Sequence, residues 1–285
     1  MDLDGDGQRD ILSGSYSRMG DESMAGLFQV LRGQPDGTFN KAEVLNGTDD
    51  EPLIIPVKDE DWVVNICTRP FAIDWDGDGN LDLVVGNFAG TFYLFQGQGN
   101  GKFLPQPEQM KTGGQPLQIE GHHSDPFVVD WDGDGDLDLL SGSSQGGVQL
   151  AENRAGPGNP PRLQAFRSLI KAGPQTADGE ILRDEDLTGP TGSTRIWVDD
   201  INSDGKLDLL VGDSVALISP ANKLSEKEFK KKYAEWRDLL AKASTKLHST
   251  FKDEKAQERF QKLYSARSEF MNEDRTGFVW LYLRK

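Results

Sequence analysis

The sequence predicts an all-β protein, namely a β-propeller of about four blades with an αα-hairpin inserted in the last blade. Two observations lead to this fold class. A nine-residue acidic segment occurs four times, with starts 72, 56 and 70 residues apart, and short apolar runs and glycine-rich turns surround the copies. One stretch near the C-terminus departs from this pattern and has the three- and four-residue apolar spacing of helices.

The first element of each repeat unit is the acidic segment, D-x-D-G-D-G-x-x-D in three copies and D-x-N-S-D-G-x-x-D in the fourth. We call these segments loops 1 to 4, number their positions one to nine, and place them at residues 2–10, 74–82, 130–138 and 200–208. An apolar run ending in glycine follows each loop, at residues 11–14, 83–86, 139–142 and 209–212. Another apolar run precedes three of them, at residues 70–73, 126–129 and 196–198. Each loop is therefore expected to join two strands.

Further strands complete the unit. A third strand is predicted at residues 27–31, 91–95 and 147–150, and a fourth after the glycine-rich turns 33–39 and 97–103. Short strands at this period, about four to a unit and separated by glycine turns, are typical of propeller blades.

Composition excludes several classes of protein. The chain has 285 residues and a formal net charge of −16, so it lacks the basic footprint of a nucleic-acid-binding protein and is not expected to dock on an anionic membrane. No run of 18 apolar residues occurs, so no membrane span is expected. Cys67 is the only cysteine, which leaves the redox compartment open.

Aspartates at positions one, three, five and nine of a tight loop indicate a site for a hard divalent cation. The backbone carbonyl at position seven adds an oxygen, and glycine at position six permits the sharp turn. Without a cation, carboxylates this close together would raise one another's pKa. An irregular oxygen cage favours Ca²⁺ over Mg²⁺. An EF-hand is excluded because the flanks are β-rich and position twelve is not acidic: it is Ser13, Val85, Ser141 and Val211.

This pattern resembles the FG-GAP or VCBS repeat, the calcium-binding blade of integrin-alpha-like β-propellers. In that family the calcium loop joins the first and second strands of a blade, so the resemblance implies about four Ca²⁺ ions. It implies side-chain ligands at Asp2, Asp4, Asp6 and Asp10, at Asp74, Asp76, Asp78 and Asp82, at Asp130, Asp132, Asp134 and Asp138, and at Asp200, Asn202, Asp204 and Asp208. The position-seven residues are Gln8, Asn80, Asp136 and Lys206.

Two copies depart from the family pattern. Loop 4 has Asn202 at position three and Ser203 at position four, so it carries one charge less and is expected to bind its cation most weakly. Loop 1 has no strand before it, since the sequence starts at its first ligand. We therefore expect a missing N-terminal segment that supplies strands to the first blade, together with any signal peptide.

Residues 222–272 form the helical stretch. A capping box at Ser225 and Glu228, flanked by Leu224 and Phe229, predicts the start of a first helix. Its apolar stripe is Phe229, Tyr233, Trp236, Leu240, Ala243 and Leu247, and a second helix from about Asp253 carries Ala256, Phe260, Leu263 and Phe270. The division is then 1–221 for the blades, 222–272 for the helical hairpin and 273–285 for the final propeller strand. The stripe is expected to pack on the propeller, and the alternative is a docking arm for an acidic partner.

A ligand rim is predicted at the end of the inner strands away from the loops. Aligning the copies places Arg69, Asp125 and Arg195 five residues before a loop, each preceded by a hydroxyl residue. The candidates for this rim are Thr68, Arg69, His122, His123, Asp125, Thr194 and Arg195. The competing interpretation is a set of salt bridges between blades. His122 and His123 could form a catalytic or transition-metal site, but they are expected to be simple rim or turn residues. Neighbouring side chains on a strand point to opposite faces, so the two cannot easily hold one ion together.

The function that the sequence favours is an extracellular or periplasmic calcium-binding module for a protein or glycan ligand. One alternative is a polysaccharide lyase or hydrolase that uses the channel face, although no catalytic residue is assigned and a non-enzymatic role is preferred. A second alternative is a structural module of a larger protein. The strand at 278–283 ends the fourth blade and is expected to present an exposed edge.

Overall fold

The computed structural model describes residues 1–16, 27–56, 62–175, 180–249 and 254–285 of the chain. Most of its strands form four antiparallel sheets that follow one another along the sequence. Three consecutive apolar layers join the four sheets, and two helices lie near the C-terminus. The predicted four-blade propeller arrangement with a helical pair is therefore confirmed.

The strands of the sheets have these bounds. Sheet 1 contains β1 (Ile11–Ser13), β2 (Gln29–Leu31) and β3 (Glu43–Val44). Sheet 2 contains β4 (Arg69–Ile73), β5 (Asp82–Gly86), β6 (Phe92–Phe95) and β7 (Glu108–Gln109), and a separate hairpin follows with β8 (Lys111–Thr112) and β9 (Gln115–Pro116). Sheet 3 contains β10 (Asp125–Val129), β11 (Asp138–Gly142), β12 (Val148–Ala151) and β13 (Arg167–Ile170). Sheet 4 contains β14 (Gly192–Asp199), β15 (Asp208–Pro220), β16 (Met271–Thr276) and β17 (Val279–Tyr282).

Strand register places the loops and the rim at opposite ends of the blades. In sheet 2, β4 pairs with β5 from Ile73↔Asp82 next to loop 2 to Arg69↔Gly86 at the far end. Sheets 3 and 4 repeat this register, with Asp125 opposite Gly142 and Arg195 opposite Gly212. The acidic loops of these three sheets therefore connect the first and second strands. In sheet 1, the described residues contain no counterpart of the strand before the loop, and β1 follows loop 1 directly.

The core consists of layers between neighbouring sheets. The second strand of a sheet sends alternate side chains to the two sides, as strand geometry requires. In β5, Leu83 and Val85 pack toward sheet 1, whereas Val84 packs toward sheet 3. In β11, Leu139 packs toward sheet 2 and Leu140 toward sheet 4. Both strands are therefore buried along their whole length, which explains their continuous apolar sequence.

A hydroxyl residue fastens each blade to the one before it. Thr68 and Ser124 directly precede β4 and β10, and Thr194 is the third residue of β14. Each hydroxyl accepts a hydrogen bond from a backbone N–H of the preceding blade. The donors are Ser15, Asn87 and Ser143, at 3.0, 2.8 and 2.8 Å. The same residues donate their backbone N–H groups to the carbonyls of Ser15, Asn87 and Ser143. This repeated pair of bonds fixes the spacing between blades.

The helical hairpin is carried on a β-ribbon. The strand β15 extends beyond its blade, because its first part pairs with β17 and its last part, Val215–Pro220, pairs with β16. Helices α1 (Glu226–Ser249) and α2 (Glu254–Ser265) follow at the end of the ribbon. The expected boundary at residue 272 falls within β16, which the sequence analysis did not anticipate.

Local signals for the hairpin agree with the structure. Ser225 donates its backbone N–H to the Glu228 carboxylate at 2.9 Å, and the Glu228 N–H returns a bond to the Ser225 hydroxyl, as a capping box requires. Phe229 is fully buried and packs with Phe270, Met271 and Trp236 at the base of the hairpin. The side chain of Leu247 and the residue Asp253 lie outside the described residues. Among the residues that the structure does describe, no helix combines the length and apolar character needed to cross a bilayer.

Candidate metal centres and channel rim

Each acidic loop is organised by its own carboxylates. The position-one aspartate accepts backbone N–H bonds across the loop. In loop 1, Asp2 accepts from Gly5 at 2.8 Å and from Gly7 at 2.9 Å. Asp74 and Asp130 accept equivalent bonds in loops 2 and 3, and Asp200 accepts from Asp204 and Gly205, at positions five and six of loop 4. Positions four and six have positive φ in every loop, a backbone conformation that costs glycine little.

The position-nine aspartate is buried and ties its loop to the blade. In loop 3, Asp138 accepts N–H bonds from Trp131 at 3.0 Å and from Asn153 at 2.7 Å. Asp10, Asp82 and Asp208 make the same two kinds of bond, one within the loop and one to the turn after the third strand. This structural task was not expected from the sequence, because a position-nine aspartate was assigned only as a ligand.

Three of the loops bring carboxylate oxygens close together. In the described residues, one oxygen from each of three aspartates lies within 4.8 Å of the others in loops 1, 2 and 3. The groups are Asp2, Asp4 and Asp6, then Asp74, Asp76 and Asp78, then Asp130, Asp132 and Asp138. Loop 4 forms no such group among the residues described, since Asn202 replaces a carboxylate and donates its amide to Asp204 at 3.1 Å.

Loops 2 and 3 hold buried carboxylates that form no salt bridge with any described residue. Burial raises the pKa of Asp138 to about 6, and the charges of Asp132 and Asp136 add to the rise despite the two backbone N–H bonds. Burial also raises the pKa of Asp82, with further contributions from its neighbours in loop 2. In loop 3, the Asp136 side chain is buried, and its Oδ1 atom has no hydrogen-bond partner.

Loop 1 differs from the other three loops because the side chain of Arg32 contacts two of its carboxylates. The Nη1 atom of Arg32 lies 3.2 Å from Asp4 Oδ2 and 3.2 Å from Asp10 Oδ2. Burial alone would raise the pKa of Asp10, but N–H bonds from Gly33 and Leu3 and the Arg32 charge outweigh this effect and lower it. Sequence reasoning missed Arg32. Aligning the copies would have shown a basic residue only in the first, although not that its side chain turns toward the loop.

A comparison with known families agrees with this geometry. Residues 74–141 match the model of the FG-GAP-like repeat, from loop 2 through β11. This stretch of the chain is similar to an FG-GAP-like repeat. No curated protein matches the chain. The matched FG-GAP-like stretch begins at loop 2 and ends just after loop 3, so it covers one complete interval of the repeat and includes both of these loops.

The rim residues meet around Asp125 on the face opposite the FG-GAP loops. The Nε atoms of Arg69 and Arg195 both lie 3.5 Å from Asp125 Oδ1, so one carboxylate serves two guanidinium groups from neighbouring blades. Burial lowers the pKa of Arg69, and repulsion from Arg195 lowers it further. The salt bridges between blades that the sequence left as an alternative are therefore present, and they leave one positive charge in excess.

The remaining rim candidates divide into two groups. Thr68 and Thr194 are buried, and their hydroxyls form the hydrogen bonds between blades. They therefore stabilise the contact between blades and do not lie at the surface of the rim. His122 and His123 both contact the Phe88 ring, with centroids 5.5 and 4.6 Å away. Burial and the charges of the two arginines lower the pKa of His123, which favours its neutral form.

A groove of about 830 Å³ lies elsewhere, between sheets 2 and 3 beside loop 2. Its lining mixes apolar and polar side chains, including Trp75, Asp76, Gln96, Gln109 and Met110. Trp75 is mostly buried in the layer between the two sheets, so it contributes an edge of the groove rather than an exposed ring. A ligand in this groove would contact a residue of loop 2.

Proposed function

We propose that this protein is a calcium-binding β-propeller module that holds a protein or glycan ligand outside the cytosol. The observation that carries the proposal is the convergence of three carboxylate oxygens within 4.8 Å in each of loops 1, 2 and 3. Carboxylates that close together repel one another unless a cation or a proton neutralises them. An ion that binds these loops only in the folded state stabilises the propeller.

The donor set suits Ca²⁺. Every side chain assigned in the loops offers oxygen, the hard donor that Ca²⁺ prefers, and six to eight such donors can be drawn from an irregular loop more easily than the strict octahedron of Mg²⁺. The orphaned Asp136 oxygen and the raised pKa of Asp138 support a missing positive charge in loop 3. Bound there, the ion would be held by Asp130, Asp132, Asp134 and Asp138.

Calorimetric titration of chelator-treated protein with Ca²⁺ tests this directly. We expect two or more ions to bind, and we expect the double variant D130N/D132N to lose one of them. The matched control is D36N, which removes an exposed carboxylate outside the four loops. Absence of Ca²⁺ binding by the folded wild-type protein would contradict the proposal.

Placement outside the cytosol follows from the kind of site. Open surface loops of this type resemble the extracellular modules that bind Ca²⁺ at ~10⁻⁴–10⁻³ M, a concentration that the cytosol does not reach. The negative charge of the chain is compatible with this compartment but does not select it. Fractionation of cells that express the full-length gene decides the question, and recovery of the protein in the cytosol would contradict it.

The rim is the proposed ligand surface. Arg69 and Arg195 share the carboxylate of Asp125, and among the described residues each guanidinium donates one hydrogen bond, to the backbone carbonyl of Ser124 or of Thr194. Guanidinium groups with spare N–H donors bind carboxylates in paired, planar fashion. An acidic group of a glycan or a protein is therefore the chemistry that this rim would hold.

Binding to polygalacturonate and to polyglutamate, with neutral dextran as reference, distinguishes the two kinds of ligand. We expect one acidic polymer to bind and R195Q to weaken it by about tenfold, the loss of one charge-assisted contact. The control R183Q changes an exposed arginine that is bonded to Glu226, away from the rim. Binding that survives R195Q but fails in Q109A would place the ligand in the groove beside loop 2 and would contradict the rim.

A further inference from the structure

The four loops are alike in sequence, yet among the described residues only loop 1 has aspartates that form a salt bridge with a basic side chain, that of Arg32. Arg32 follows β2 directly, and the register of the sheets aligns it with Gln96, Glu152 and Leu283 in the other blades. None of these three residues is basic. Among the described residues, no lysine or arginine forms a salt bridge with an aspartate of loops 2, 3 or 4.

The guanidinium of Arg32 is held in place from several sides. It contacts Asp4 and Asp10 at 3.2 Å through Nη1, and its Nε donates to Glu43 on β3 at 3.3 Å. The side chain is 19% exposed, and its Asp10 partner is 1% exposed. A positive charge in this position is fixed by the fold, and it compensates the carboxylates at positions three and nine of the loop at the same time.

We propose that Arg32 is a built-in counter-ion of loop 1, which lets that loop keep its fold without a bound cation and lowers its affinity for Ca²⁺. The inference rests on the proposed calcium function for the remaining loops. Affinity of oxygen-ligand loops for Ca²⁺ rises with the number of negative charges that face the ion. The single positive charge of Arg32, shared between Asp4 and Asp10, offsets one negative charge of loop 1 and therefore lowers its affinity relative to loops 2 and 3.

The proposal changes the expected order of the sites. Loop 4 was expected to be the weakest because Asn202 replaces a carboxylate. Loop 1 is now also expected to bind Ca²⁺ weakly, since the charge of Arg32 changes the electrostatic potential at its site in the same direction as the loss of a carboxylate does in loop 4. The two central loops, both of which lie within the matched FG-GAP-like stretch, remain as the high-affinity pair.

The variant R32Q tests the proposal in two ways, with R154Q as the matched control. Arg154 forms its salt bridge with Glu152, and its charge acts on Asp132 and Asp134 of loop 3 without a salt bridge to either, so its loss removes a nearby charge without releasing a loop carboxylate. The first measurement is calorimetric titration with Ca²⁺. We expect one class of sites in R32Q to tighten by about tenfold relative to wild type, because two carboxylates are released to the ion.

The second measurement is the melting temperature in excess chelator and in excess Ca²⁺. R32Q should melt below wild type in chelator, because loop 1 loses its only compensating charge, and the gap should close in Ca²⁺. R154Q should match wild type under both conditions. An equal loss in chelator and in Ca²⁺ would show a packing role and overturn the proposal.

Two further outcomes separate this inference from the proposed function. Weaker Ca²⁺ binding by R32Q would make Arg32 a residue that positions the ligands, and it would also overturn the proposal. A reciprocal variant, Q96R, introduces arginine at the aligned place beside loop 2 and should lower the affinity of that site. If the wild-type protein, R32Q and Q96R all fail to bind Ca²⁺, the proposed function fails, and a melting temperature of R32Q equal to wild type in chelator then rejects the counter-ion role as well.

Discussion

At the scale of single residues, the same aspartate performs two tasks in these loops. Asp138 offers its oxygens to the candidate cation site, and it also accepts two backbone N–H bonds that tie the loop to its blade. A carboxylate can do both because each oxygen has two lone pairs. Removal of this side chain is therefore expected to cost stability even when no metal is present.

A pH experiment isolates this residue. In chelator, the folded-state pKa of Asp138 is about 6, whereas an unfolded aspartate titrates near 3.9. Between these values the folded chain binds a proton that the unfolded chain does not, so the free energy of unfolding falls as pH rises from about 4 to 6. We expect urea unfolding of wild type to show a steeper fall over this range than D138N. Excess Ca²⁺ should remove the difference in slope, and parallel profiles in chelator would contradict the raised pKa.

Ser203 offers a second test at this scale. It occupies position four of loop 4 with φ of 60°, where the other three loops have glycine. A side chain in this left-handed region costs of order 1 kcal/mol, so S203G should stabilise the protein by about that amount. The control S203A keeps the β-carbon and should bring no gain. Thermal unfolding of both variants measures the difference, and equal effects would show that the backbone there is not strained.

At the scale of elements, the glycine at the end of each second strand distinguishes inner interfaces from an outer one. A β-carbon on Gly142 would lie 2.2 Å from the carbonyl oxygen of Thr194 in the next blade. A β-carbon on the aligned Gly212, on β15, would have the Arg195 carbonyl oxygen as its nearest described neighbour, at 4.0 Å. Of the four glycines that end these second strands, the three that face a following blade are therefore under steric constraint, and Gly212 is not.

The variants G142A and G212A test this contrast through their free energies of unfolding. G142A should destabilise the protein by about 1–3 kcal/mol, because a backbone carbonyl must move away. G212A should change the free energy of unfolding by less than about 0.5 kcal/mol, as expected for an unconstrained site. Chemical denaturation compares the two variants. A similar loss in both would mean that a further blade packs against β15 in solution.

The strands of the first three blades followed from local pattern, since apolar runs such as 83–86 and 139–142 lie between an acidic loop and a glycine turn. The β-ribbon of β15 and β16, which carries the helices, did not follow from local pattern. The strand β16 has the sequence MNEDRT, which lacks alternation and β-branched apolar residues, and it is a strand because β15 pairs with it. The contact of Arg32 with loop 1 was not predicted for a related reason. The direction of a long side chain depends on tertiary contacts and not on the spacing of residues in the sequence.

At the scale of the whole molecule, the four blades are joined by three layers, and sheet 4 has an outer face. Val279 and Leu281 on β17 are 74% and 50% exposed, and Trp197 on β14 is 56% exposed. In the described residues, no strand pairs with the free edge of β17. The predicted exposed edge at residues 278–283 is therefore seen in the structure, while the expectation that an N-terminal segment completes the first blade stays a prediction.

The melting temperature of chelator-treated protein as a function of free Ca²⁺ tests the central claim, that the acidic loops are cation sites on which the fold depends. Binding to the folded state alone adds about 2.7 kcal/mol per site at a hundred times the dissociation constant. We therefore expect the melting temperature to rise steeply with Ca²⁺ in the millimolar range and to respond far less to Mg²⁺ at the same concentration. A melting temperature that is the same in excess EGTA and in saturating Ca²⁺ would contradict the account.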